Sequence, residues 1–241
     1  MATKQEPIVP GRYYHVFNKS VGGEFLFKNH ENYRYFMEKY RKYVSPFAET
    51  LAWCLMPTHF HFLIKPLGGD KTCGGFEAPD INREGRETQI PNKTYEGFET
   101  LAGLAGKGSE TLPSNTYEGS ETLVSVANFS KKFSHLFNCY AQAYNKQNHR
   151  SGSLFKNRFK RVLITDEEHL RTAIVYIHLN PSHHQVEKNF KNWKYSSFNA
   201  LVGTGQTLVK REKVLELFEG RENFIFCHQQ KYEFNTGLYF D

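Results

Sequence analysis

The chain has 241 residues, 39% hydrophobic and 15% aromatic, with 31 Lys and Arg against 25 Asp and Glu for a net charge of +6. That suits one sizeable core with appendages, and no stretch approaches the roughly 20 apolar residues of a membrane span. Cys54, Cys73, Cys139 and Cys227 form no C-x-x-C pair, which excludes a zinc or disulfide framework and predicts reduced thiols.

From the amino terminus, "MATKQEPIVPGRYY" has no apolar signal core, so the expected location is the cytoplasm. Residues 11–21, "GRYYHVFNKSV", read as a first strand. Residues 29–44 place Tyr33, Phe36, Met37, Tyr40 and Val44 at helical spacing behind Asn29, a suitable N-cap. "ETLAWCLM" (49–56) and "HFHFLIKP" (59–66) are a second and third strand, with Pro57 and Thr58 making the bend.

Residues 67–122 differ in kind. "GFETL", "GSETL" and "GSETL" begin at Gly97, Gly108 and Gly119, with worn copies at Gly75 and Gly85. Gly, Pro, Ser and Thr dominate, and few groups can bury apolar surface, so a disordered surface insert grown by repeat expansion is expected. Its "GLAGKGS" is a false P-loop, because Gly108 follows Lys107 where Ser or Thr is required. No nucleotide cofactor is expected. The insert carries ten acidic and five basic side chains, so the remainder of the chain holds about +11 of charge. A surplus of that size favours a polyanionic partner, nucleic acid first of all.

After the insert, Val126, Phe129, Phe133, Phe137, Tyr140 and Tyr144 mark a long amphipathic helix, and "FKRVLIT" (159–165) a fourth strand. A further helix is predicted from Thr165, with a capping box completed by Glu168 and a stop before Pro181. The order βαββαβα predicts an α+β fold: a ferredoxin-like antiparallel sheet with helices on one face. The domain organisation follows as 1–66 with 123–202, the insert 67–122, and a C-terminal extension 203–241.

Chemistry enters at the third strand. Residues two apart share a face, so His59, His61, Leu63 and Lys65 lie together while Phe60, Phe62 and Ile64 pack on the other side. The two imidazoles sit about 7 Å apart at the backbone and can reach one cation. With no thiolate nearby, Mg²⁺ or Mn²⁺ is more natural than structural zinc. On the last helix Leu170, Ala173, Ile174 and Ile177 form an apolar stripe, and Tyr176 and Asn180, four residues apart, stack beside it. Two readings stand here. Asn180 completes a metal site while Tyr176 attacks a phosphate, or Tyr176 is a boundary aromatic and Asn180 a helix-ending residue.

"MPTHFHFLIKP", "YAQAYNKQNHRSGSLFKNRFKRVLI", "YIHLNPSHHQV" and "WKYSSFNAL", in that order, resemble the REP-associated tyrosine transposases. These are relatives of the single-tyrosine transposases of bacterial insertion sequences, within the HUH (His-hydrophobic-His) superfamily. The likeness spans residues 11–66 and 126–201, with a looser echo in "ENFIFCHQQ". It implies His59 and His61 as metal ligands, Tyr176 as nucleophile and Asn180 as third ligand. It also implies strand cleavage and rejoining through a 5′-phosphotyrosine, on single-stranded DNA carrying a hairpin, by a monomer or a homodimer.

Lys156, Arg158, Lys160 and Arg161 surround Phe155 and Phe159 and are the expected DNA phosphate contacts. Tyr140 and Tyr144 lie on an apolar stripe and read as packing; His15, His178, His183 and His184 read as solvated. The rival reading is a non-catalytic DNA or RNA hairpin-binding protein, with the same basic charge. A two-histidine phosphoesterase ranks last, since it requires two separated H-x-[ST] motifs and none of that pattern surrounds His59.

Overall fold

The computed structural model describes residues 7–68, 120–156 and 158–230. Its strands are β1 (Tyr13–Lys19), β2 (Ala48–Leu55), β3 (His59–Pro66) and β4 (Lys160–Ile164). They form one sheet in the order β2-β3-β1-β4, every pairing antiparallel. Between them run α1 (His30–Tyr43) and α2 (Ser120–Gln147), followed by α3 (Glu167–His183) and the short helices α4 (Phe198–Val202), α5 (Arg211–Leu217) and α6 (Arg221–Cys227). The α+β antiparallel architecture is as expected. The repeat insert, expected to be disordered, falls outside the described residues except at its ends.

The period-two alternation of the strands divides the side chains between two cores. Tyr14, Val16, Phe60, Phe62 and Ile64 meet α1 and α2 through Phe36, Tyr40, Phe133, Phe137 and Tyr140. Phe62 stacks on Tyr40 at 4.1 Å between ring centroids, and Phe60 meets Phe137 at 5.4 Å. Leu63, Cys54, Ala52 and Ile164 face the other way, onto α3 and α4 to α6. A bulge between Thr50 and Ala52 lets Leu51 and Ala52 both enter this second core.

Helices therefore cover both faces of the sheet, and the expectation of one face is corrected. The βαββαβ portion does keep α1 and α2 on one side. The opposite side carries histidines, which suggest solvent, but also Leu63, Cys54 and Ile164, whose apolar surface requires a cover. Val209, Val214, Phe218 and Phe224, beyond residue 203, supply part of it.

Local signals account for the helix ends. Asn29 Oδ1 accepts from the Asn32 amide and caps α1, as its position predicts. For α3 the cap is Asp166, whose carboxylate accepts from the His169 amide, and not a Thr165–Glu168 box. The Thr165 hydroxyl instead donates to Asp166. Nor does α3 stop before Pro181: it runs to His183, because proline forfeits one amide donor yet keeps helical φ, and the His184 amide still closes on the Asn180 carbonyl.

Cys54, Cys139 and Cys227 are free thiols, in line with the sequence; Cys73 lies outside the described residues. Among the described residues no helix is long and apolar enough to cross a membrane.

Candidate functional site

Strand parity and a helix pitch bring the four residues of interest together. His59 and His61 project from β3 toward α3, and both are buried. One turn apart on α3, Tyr176 and Asn180 face them, also buried. His59 Nε2 lies 3.2 Å from Asn180 Oδ1. The Asn180 Nδ2 donates to the Tyr176 carbonyl at 3.4 Å, so the hydrogen-bond pattern turns the amide oxygen toward the histidines. The Tyr176 ring stands edge-on to His61, centroids 5.7 Å apart.

Electrostatics keep His61 in the form a metal needs. Burial, then the neighbouring imidazoles of His59, His15 and His184, hold its pKa well below the ordinary histidine value, while the Asn180 side chain opposes them. The ring is neutral near pH 7, with a lone pair to offer. Its buried Nε2 makes no hydrogen bond of normal geometry, although the Asn180 carboxamide is near enough to favour its charged form. A buried nitrogen so placed, beside a second imidazole and an amide oxygen, fits a divalent cation. Among the described residues no group of three or more His, Cys, Asp and Glu could hold a metal, so such a seat depends on the carboxamide.

The histidines read as solvated separate into three cases. His183 and His184 are exposed at the end of α3, His184 4.7 Å from His59 and His183 6.2 Å from Tyr176 between ring centroids. His178 is fully buried on another side of α3, with Nδ1 2.9 Å from His228 Nε2 and Nε2 2.8 Å from Ser197 Oγ. Burial depresses the pKa of both rings, His228 to about 4. His15 is fully buried too, its Nε2 2.9 Å from His61 Nδ1. Sequence reasoning missed it, and the available signal was its place between Tyr14 and Val16 in an apolar strand.

Of the four cations, Lys160 is exposed on the histidine face. Its Nζ lies 5.7 Å over the Phe17 ring, which in turn stacks 5.8 Å from His61. Arg161 points to the opposite face, over Phe159. Lys156 and Arg158 are exposed before β4; the Lys156 amide donates to the Lys19 carbonyl, and Arg158 takes a left-handed φ of 52°. Phe155 and Phe159 belong to the apolar core, as do Tyr140 and Tyr144, whose hydroxyls donate to the Leu26 and Phe25 carbonyls. These tyrosines are packing residues, as read.

The sequence matches no family model and no curated protein. The fold is similar to a solved structure of a REP-associated tyrosine transposase bound to a REP hairpin. That likeness has a TM-score of 0.52 at 14% identity and covers 86% of this chain and 90% of the other.

Proposed function

We propose that this chain is a single-tyrosine DNA strand transferase that cleaves and rejoins single-stranded DNA beside hairpin elements. The observation that carries the reading is the meeting of His59, His61 and Asn180 with the Tyr176 phenol, from a strand and a helix far apart in the chain. A fold similar to that of a hairpin-bound tyrosine transposase supports it, as does the surplus of positive charge outside the insert.

In the proposed reaction Tyr176 Oη attacks a phosphodiester. The Oη–P bond forms and the P–O3′ bond breaks; the 3′-oxygen departs as a hydroxyl, and the phenolic proton is its net source. The DNA 5′-phosphate remains on Tyr176, and a second 3′-hydroxyl reverses the step with no external energy. When bound by His59, His61 and Asn180, Mg²⁺ or Mn²⁺ supplies charge neutralisation at the scissile phosphate. The Asn180 back-bond to the Tyr176 carbonyl couples the cation seat to the nucleophile's own helix turn. Lys160 on the histidine face, with Lys156 and Arg158 before β4, would anchor flanking phosphates, fixing register without reading sequence; Arg161, turned to the opposite face, drops out of this set.

One observation favours the rival hairpin-binding protein: Tyr176 is only 2% exposed. Incubation with a labelled single-stranded hairpin and Mn²⁺ separates the two. A covalent adduct on the wild type that Tyr176→Phe abolishes, a loss of at least about 10³-fold in rate, supports strand transfer. Saturable binding with no adduct supports the binding protein.

A further inference from the structure

A neutral imidazole has one N–H and one lone pair, so whatever its Nδ1 meets decides what its Nε2 can offer. Both histidines of the seat have an outer partner at Nδ1. His61 Nδ1 lies 2.9 Å from His15 Nε2, and His59 Nδ1 lies 3.1 Å from Thr58 Oγ1.

The two partners are not equivalent. A hydroxyl donates or accepts, so Thr58 tolerates His59 in either tautomer. The 3.2 Å contact to Asn180 Oδ1 favours a proton on His59 Nε2 so long as no cation lies between them. That proton must move to Nδ1, toward Thr58, before Nε2 can bind a cation. His61 is placed otherwise, because its Nε2 has no acceptor of normal geometry. A proton on Nδ1, donated to His15 Nε2, leaves the inward nitrogen bare.

The sheet fixes this pair. β1 sets His15 opposite Leu63 and Phe17 opposite His61, so His15 is the diagonal neighbour of His61 on the same face. Its ring stacks 5.1 Å from His61 and 4.9 Å from Phe17, and stands edge-on 6.0 Å from Tyr176. A single buried imidazole thus packs against one ring of the cation seat and against the phenol.

We propose that His15 is a positioning residue: its Nε2 accepts a hydrogen bond from the His61 Nδ1–H and so presets His61 Nε2 as a ligand, and its ring sets the angle of His61 against Tyr176. This rests on the metal-seat reading given above, and outer partners of metal-bound histidines commonly control affinity in this way.

The test has two independent readouts. Imidazole ¹⁵N shifts in the metal-free wild type should show His61 protonated at Nδ1 and bare at Nε2; the reverse tautomer overturns the proposal, whatever metal does. Mn²⁺ titration without DNA, followed by electron paramagnetic resonance, should show His15→Leu weakened about 10- to 100-fold, and His15→Gln, which keeps an acceptor, within about threefold of wild type. Folded His15→Leu protein that binds Mn²⁺ as well as wild type refutes the role, as does equal loss in both variants. Wild-type protein that takes up no Mn²⁺, or whose affinity survives His59→Ala and His61→Ala, sinks the metal seat instead, and the tautomer measurement then decides His15 alone.

Discussion

The two faces of the sheet are built from the same strands and serve opposite ends. Toward α1 and α2, β3 presents Phe60, Phe62 and Ile64 into an aromatic core whose tyrosine hydroxyls are hydrogen-bonded at its edges. Toward α3, the alternate residues His59 and His61 join His15, Asn180 and Tyr176, and further along His178, His228 and Ser197. Buried polar groups stabilise little even when hydrogen-bonded, and cost about 1–3 kcal/mol when left unpaired. The difference teaches that one face is lined by an aromatic core alone, while the other adds to its own apolar core groups that a purely structural core would replace with Val or Leu.

Neighbours one residue apart give the largest test of that contrast. Phe62→Ala should lower stability in urea unfolding by about 3–5 kcal/mol, the range for emptying a packed aromatic site. His61→Leu should cost less, about 2 kcal/mol at most, because gained apolar burial offsets part of the penalty of depriving the buried His15 Nε2 of its His61 partner, while Mn²⁺ binding disappears. Equal destabilisation by the two would break the comparison and make His61 an ordinary core residue.

Acid should strike the polar face selectively. His228 titrates near 4 when folded, and His178 and His61 are depressed in the same direction, all by burial first. An unfolded histidine titrates near 6.5. Above that pH the contribution of these neutral rings is complete. As pH falls toward 4 the unfolded chain takes up protons that the folded chain refuses, and stability is lost. For His228 alone the loss between pH 7.5 and 5 should be about 2 kcal/mol. Urea midpoints at the two pH values measure it, and a flat profile contradicts the burial of these rings.

The smallest expected effect lies on the apolar side. Asn29→Ala removes the α1 cap and should cost about 1 kcal/mol with no change in Mn²⁺ affinity. A larger loss, or a change in Mn²⁺ affinity, would show that the two faces are not independent.

What could be read in advance follows the same division. The alternation of "HFHFLIKP" told which side chains share a face, and Asn29 announced its helix, because both signals are local. His15 was not legible as a partner of His61, since that contact depends on strand register across 46 residues. His178 reads as solvated for the same reason, since its partner His228 lies 50 residues further on. Pro181 misled in the opposite way: a strong local stop signal yields when the following amides close the turn on Asn180 and Pro181 themselves. The covering of the second sheet face was hidden because the βαββαβα order implies helices on one side, while Leu63, Cys54 and Ile164 on the other needed the shelter that α3 and the residues beyond 203 supply.

The Tyr176 hydroxyl is sealed from solvent. In the proposed reaction a scissile bond cannot meet that oxygen until α3 or the residues around its end give way, so the free energy of docking a correct hairpin would be spent partly on unlatching the nucleophile. An idle copy would then be silent toward stray single strands, and turnover would follow the rate of unlatching more closely than the rate of phosphoryl exchange.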